Sequence, residues 1–178
     1  MNIRLATVED VPVLAKVHVD AWRAAYRGVV SDSFLNGFTC AKRETTFREM
    51  LKSDSQATCV AEERGGILGF FTVGACRDSD ADADLTGEIW GIYIAPLHWR
   101  KGVGTHLAAK AQQMLTSTGY EEATLWVSEG NRRAREFCEA LGFRPDGVCK
   151  QLDFGVLLTA VRYRKALASE EGGADDRS

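Results

Sequence analysis

The sequence predicts a mixed α/β fold, with a mostly antiparallel central sheet of six to seven strands flanked by helices. Three observations predict it. Runs with two-residue alternation or β-branched and aromatic enrichment are interleaved with runs whose apolar residues recur every three to four positions. Three strand-like runs follow one another in the middle of the chain, which excludes the strict alternation of a doubly wound parallel sheet. One strand-like run, ending at Pro96, feeds the turn Gly102-Val103-Gly104-Thr105, which opens an amphipathic helix. The chain has 178 residues, most simply one domain. That domain is expected to fill 1–167, with a polar tail at 168–178 whose composition suits disorder.

Residues 3–5 alternate and read as a first strand. Thr7 and Asp10 form a capping box ahead of a helix that reaches Tyr26, with Pro12 tolerated in its first turn. Val13, Val17 and Ala21, together with Leu14, Trp22 and Ala25, keep helical spacing until Gly28. Ser31 or Asp32 starts a short helix carrying Phe34 and Leu35, which Gly37 ends. A third helix spans 41–52, with Phe47 and Leu51 one turn apart. Residues 57–63 and 67–75 read as strands joined by a turn at Gly65-Gly66. An acidic loop fills 78–84, and a fourth strand 88–94. The long helix from 102 to about 117 shows Val103, Leu107, Ala111, Met114 and Leu115 on one face, with Gly119 as its terminator. Residues 123–127 form a fifth strand. A helix over 131–141 gathers Ala134, Phe137, Cys138 and Leu141, and Gly142 ends it. Residues 143–152 and 156–164 close the fold as a hairpin.

Composition narrows the function. The formal net charge is −3, and no basic stripe with interleaved aromatics appears, which argues against a nucleic-acid partner. No apolar run is long enough to span a membrane, and the N-terminus lacks the apolar core of a secretory signal. The five cysteines are widely spaced, with no Cys-x-x-Cys pair, and the three histidines are scattered. Neither a disulfide framework nor a metal site is expected, and a cytoplasmic setting fits best.

The chemistry concentrates at 92–107. The first N–H groups of a helix lack internal partners and carry partial positive charge, and glycine lets that backbone approach a ligand. Phosphate is therefore expected at 100–105, against the alternative of a plain strand-to-helix connection. A nucleotide P-loop fails, because Lys101 precedes the glycines. A dinucleotide fingerprint fails at its third glycine, where Leu107 stands.

The run Trp99-Arg100-Lys101-Gly102-Val103-Gly104, after Pro96, resembles the acyl-coenzyme A loop of the GNAT superfamily of N-acetyltransferases, Arg/Gln-x-x-Gly-x-Gly/Ala. Trp99 departs from its first position. Asn131-Arg-Arg-Ala134-Arg-Glu-Phe137-Cys138-Glu-Ala-Leu141-Gly142-Phe143 resembles the second signature of that superfamily, with Cys138 where many relatives carry Tyr. Trp22-Arg-Ala-Ala-Tyr26-Arg-Gly and Val161-Arg-Tyr-Arg extend the likeness over 3–167. The resemblance implies acetyl-coenzyme A as cosubstrate and no metal. It implies that Ile92, Tyr93 and Ile94 pair with the pantetheine arm. Arg100, Lys101, Gly102, Val103, Gly104 and Thr105 would cradle the pyrophosphate, and Asn131 would hydrogen-bond the coenzyme. Asn131 also suits a plain helix cap.

The implied reaction is direct attack of a primary amine on the thioester. Such an amine is mostly protonated at neutral pH, its reference pKa being about 10, so a base must act. Glu88 is the candidate. Alternation places it on one face with Trp90, Ile92 and Ile94, where burial would raise its pKa. The histone-acetylating branch resembles this chain in carrying a catalytic Glu at the matching place; the alternative is a solvated strand-end Glu. Cys138 is a weak candidate acid, more plausibly a packing residue. The alternative function is an acyl-coenzyme A-binding regulatory module without turnover; a nucleotide-dependent enzyme is a third reading. The acidic loop fails the calcium pattern and reads as solvated, though with Glu88 it could steer a cationic acceptor. Trp22, Tyr26 and Phe38 fall where relatives build acceptor pockets, and core packing explains them equally. The acceptor would be a small-molecule or peptide amine, and a homodimer is compatible with the family.

Overall fold

The computed structural model describes residues 1–167; the expected disordered tail lies outside them. Strands β1 (Asn2–Leu5), β2 (Gln56–Glu63), β3 (Gly66–Ala75), β4 (Thr86–Ile94), β5 (Glu122–Ser128), β6 (Arg144–Asp153) and β7 (Leu157–Ala166) form one sheet in the order β1-β2-β3-β4-β5-β7-β6. Helices α1 (Val11–Tyr26), α2 (Asp32–Gly37) and α3 (Cys40–Met50) fall between β1 and β2; α4 (Val103–Thr118) joins β4 to β5, and α5 (Arg132–Ala140) joins β5 to β6. Every expected element is present, with ends moved by up to about two residues, the usual uncertainty of a helix or strand boundary. The β2–β3 turn centres on Arg64 and Gly65, both at positive φ (51° and 79°), as a two-residue hairpin matching the strand twist requires.

Neighbouring strands pair antiparallel except β4 and β5. Those two run parallel because α4 carries the chain back across the sheet between them. Their ladder is short, running from Thr86↔Glu122 to Ile89↔Leu125. Beyond it the two strands diverge, and Trp90–Ile94 of β4 have no strand partner on that side among the described residues.

Each face of the sheet has its own core. On one face Leu107, Ala111 and Leu115 of α4 pack with Phe71, Val73, Ile89, Leu125 and Phe143. On the other Val11, Leu14 and Ala15 of α1 pack with Phe47, Val60 and Phe70. His18 of α1 also lies on this second face, edge-on to Tyr93 at 4.2 Å and beside Phe38, Phe47 and Phe70. Burial, with Arg43 nearby, pushes its pKa down to about 3, so the ring is neutral at physiological pH.

Two expectations are corrected here. The alternation that grouped Glu88 with Trp90, Ile92 and Ile94 is broken by a bulge. The register steps from Val73↔Ile89 to Thr72↔Gly91, leaving Trp90 as the extra residue. Ile89, Ile92 and Ile94 therefore share the α4 face, while Glu88 turns toward the opposite one. The acidic loop is also not simply solvated. Arg162 of β7, whose side chain is 3% exposed, holds Asp78 at 3.2 Å, Asp80 at 2.6 Å and Asp146 at 2.7 Å. A buried guanidinium requires such partners. Asp82 and Asp84 remain exposed.

Candidate active site

The divergence of β4 and β5 opens a cleft of about 710 Å³. Its floor is Ile89 and Leu125 at the end of the ladder; its far end is the turn before α4. Two halves differ in construction.

The half at the α4 turn is built from backbone. Arg100 and Gly102 sit at positive φ (63° and 80°), which folds the turn back on itself. Gly102 caps α4 and has no side chain to offer, so the first N–H groups of the helix have no side-chain cap. Gly104 is needed for close approach: a Cβ there would lie 3.2 Å from the Phe137 ring and 3.4 Å from Ile94. Trp99, the departure from the family pattern, has a role of its own. Its indole N–H donates to the Ile94 carbonyl at 2.8 Å, and the Arg133 guanidinium of α5 stacks on its ring at 4.2 Å. Trp99 thus ties the turn to the end of β4 and to α5.

Of the residues expected to hold a coenzyme, Ile92, Tyr93, Ile94, Arg100, Gly102, Gly104, Thr105 and Asn131 line this cleft. Asn131 also caps α5, its Oδ1 accepting from the Ala134 N–H at 3.2 Å. Two do not line it. The Val103 side chain is buried in the α4-side core, and Lys101 borders a separate hollow of about 370 Å³ with His98 and His106.

The other half is built from side chains. Trp90 and Trp126 stand on the two diverging strands, and Trp22 and Tyr26 come down from α1. All four are half-buried. Phe38 lies behind Trp22, stacked on it at 5.0 Å. Trp90, Trp126 and their supports escaped the sequence reading. The signal was available, since Trp126 alternates with Leu125 and Val127 and so had to face away from the α4 core.

Glu88 is 1% exposed and does not line the cleft. Arg77 encloses its carboxylate: the backbone N–H donates at 3.1 Å, Nε at 3.0 Å and Nη2 at 2.5 Å. The same guanidinium stacks on Trp90 at 4.2 Å. Cys138 does line the cleft, and burial, with Glu139 adding, pushes its thiol up to about 12. It is a neutral packing group at physiological pH. Tyr93 is a lining residue too, and burial likewise pushes its phenol up to about 12.

Residues 22–143 match the acetyltransferase (GNAT) family. The chain belongs to the GNAT family. An uncharacterized N-acetyltransferase of Bacillus subtilis, YuaI, is 30% identical over 131 residues, covering 74% of this chain and 73% of that protein. Spermidine N(1)-acetyltransferase of Thermoplasma acidophilum is 22% identical over 149 residues, 81% of this chain and 88% of that one. The fold is shared with the paia N-acetyltransferase of Thermoplasma acidophilum, solved in complex with coenzyme A, at a TM-score of 0.71, 19% identity, and coverage of 93% and 98%. Like its GNAT relatives, this chain is an acyltransferase enzyme of the N-acetyltransferase type.

Proposed function

We propose that this GNAT enzyme moves an acetyl group from acetyl-coenzyme A to a primary amine by direct attack. The observation that carries the reading is a pair of open backbone edges bordering one cleft: β4 beyond Ile89, which has no β5 partner, and the start of α4, which no side chain caps. An extended pantetheine arm fits the strand edge, and a pyrophosphate fits the helix start. Relatives solved with coenzyme A, and with acetyl-coenzyme A in the case of yncA from Salmonella typhimurium (TM-score 0.67, 20% identity, 99% of each chain), support the choice of ligand. Bound there, acetyl-coenzyme A supplies an activated acyl group as a thioester.

In this reading Ile92, Tyr93 and Ile94 hold the arm. Arg100, Gly102, Gly104 and Thr105 hold the phosphates, with Lys101 and Val103 contributing backbone, and Asn131 adds a polar contact. Glu88 is the general base. Its carboxylate must first release Arg77, whose side chain is 53% exposed. The Tyr26 and Tyr93 phenols, both raised by burial and so protonated, are the donors available to a departing thiolate. Cys138 is not, because its raised thiol is a poor acid. The five cysteines form no disulfide, which suits a cytoplasmic setting. A small-molecule acceptor is supported by the spermidine-acetylating relative.

The test is a thiol-release screen of amines, paired with thermal melts. Acetyl-coenzyme A is expected to raise the melting temperature, and at least one amine to release thiol. Glu88→Gln should lower kcat by about a hundredfold, the scale of a lost general base, and leave the coenzyme-induced shift unchanged. Coenzyme binding with no turnover for any amine would instead establish the regulatory module.

A further inference from the structure

The acceptor half of the cleft is aromatic, and its charges are already spent. Trp22 stacks on Tyr26 at 4.2 Å and meets Phe154 of the β6–β7 turn edge-on at 4.7 Å. Trp90 and Trp126 are pinned by their indole N–H groups, one to the end of β3 and the other to the segment that follows it. Trp90 donates to the Ala75 carbonyl at 3.4 Å and Trp126 to Asp78 at 3.1 Å. Each carries a cation on one ring face: Arg77 on Trp90 at 4.2 Å, Lys150 on Trp126 at 3.7 Å. The indoles are thereby fixed as walls on either side of the strand divergence, not as mobile surface groups.

The carboxylates nearest Trp90 and Trp126 are engaged. Glu88 is held by Arg77; Asp78, Asp80 and Asp146 are held by Arg162. Glu136 lines the cleft but pairs with Arg132 at 2.7 Å. Among the described residues no unpaired carboxylate lines the cleft. A polyamine carries several ammonium groups, and each needs an anionic or carbonyl partner when it leaves water. An amine with a single nitrogen on an aromatic skeleton needs none beyond the base, and its ring can be buried against aromatic walls.

We propose that the acceptor is an arylalkylamine whose ring sits among Trp22, Tyr26, Trp90 and Trp126, with its nitrogen directed toward the end of the β4–β5 ladder. This rests on the acetyl-transfer reading above. It narrows that reading away from polyamines, even though one relative is a spermidine acetyltransferase.

The experiment compares 2-phenylethylamine, n-butylamine and spermidine in the thiol-release assay, using the full chain and saturating acetyl-coenzyme A. The expected kcat/KM for 2-phenylethylamine exceeds the other two by about tenfold or more. Trp126→Leu should raise the KM for 2-phenylethylamine by about tenfold while moving that for n-butylamine less than about twofold. Trp22→Leu, which leaves the Asp78 contact intact, should do the same and guards against misfolding of the first variant. 2-Phenylethylamine should also quench tryptophan fluorescence without acetyl-coenzyme A, a readout independent of turnover. Equal or better turnover of spermidine, or equal KM changes for both monoamines, overturns the aromatic assignment and leaves acetyl transfer standing. Coenzyme binding with no thiol release from any of a broad amine panel overturns both.

Discussion

The two halves of the cleft solve their problems with different materials. Around α4 the work falls to backbone: uncapped N–H groups, a turn folded by Arg100 and Gly102, and a Gly104 that admits Phe137 and Ile94 at close range. Around Trp90 and Trp126 it falls to side chains, held by ion pairs and stacked cations. The first arrangement tolerates changes of side chain, which is why Trp99 can occupy a position where relatives carry Arg or Gln and still anchor the turn through Ile94. The second depends on specific side chains, and so is free to differ between enzymes that share one coenzyme and act on different amines.

That contrast can be broken by mutation. Arg162→Met should have the largest effect, because it strands Asp78, Asp80 and Asp146 without their shared cation. Each charged hydrogen bond lost to the partly buried Asp78 and Asp146 costs about 1.5–3 kcal/mol, read as a lower urea midpoint, and the loss should loosen Trp126. The coenzyme-induced thermal shift should survive in whatever fraction folds. Gly104→Val is the counterpart in the other half. Its branched side chain would press on Phe137 and Ile94, destabilising by about 1–3 kcal/mol, and should abolish the acetyl-coenzyme A shift without touching the aromatic walls. If instead Arg162→Met abolished the coenzyme-induced shift while the folded fraction kept its tryptophan quenching by 2-phenylethylamine, the division of labour drawn here would fail. The smallest effect is expected from Cys138→Ala. A thiol that burial keeps neutral contributes packing only, so kcat at saturating substrates should fall less than about twofold. A drop of about a hundredfold would make Cys138 the acid after all.

The same contrast explains what the sequence revealed. The glycine turn, the Asn131 cap and the apolar stripe of α4 are local signals, legible because helix starts and turns are decided by a few adjacent residues. Every strand and helix was legible for the same reason. The orientation of Glu88 was not, since it depends on one extra residue at Trp90, and a bulge leaves no mark in alternation until the partner strand is known. The fate of the acidic loop was hidden too. Its partner Arg162 lies more than eighty positions away, on a strand whose place in the sheet is set only by tertiary pairing. Trp22 and Tyr26 were named from the sequence, but Trp90 and Trp126 were missed as their partners because they come from separate strands that only the folded sheet brings beside α1.

The four-rung seam between β4 and β5 has a consequence for how the molecule holds together. Strands β1 to β4 lie side by side in chain order, whereas in the second group β7 lies between β5 and β6. Within the sheet they are joined by Thr86–Ile89 against Glu122–Leu125 alone, with α4 as the covalent tether. The α4-side core bridges this seam, because Leu107, Ala111 and Leu115 meet Phe71 and Val73 on one side and Leu125 and Phe143 on the other. A ligand that pairs with the free edge of β4 while touching α5 and β5 lengthens the seam. Binding then adds a second bond across a seam that the α4-side core otherwise spans by itself, so that substrate occupancy and mechanical integrity rise together.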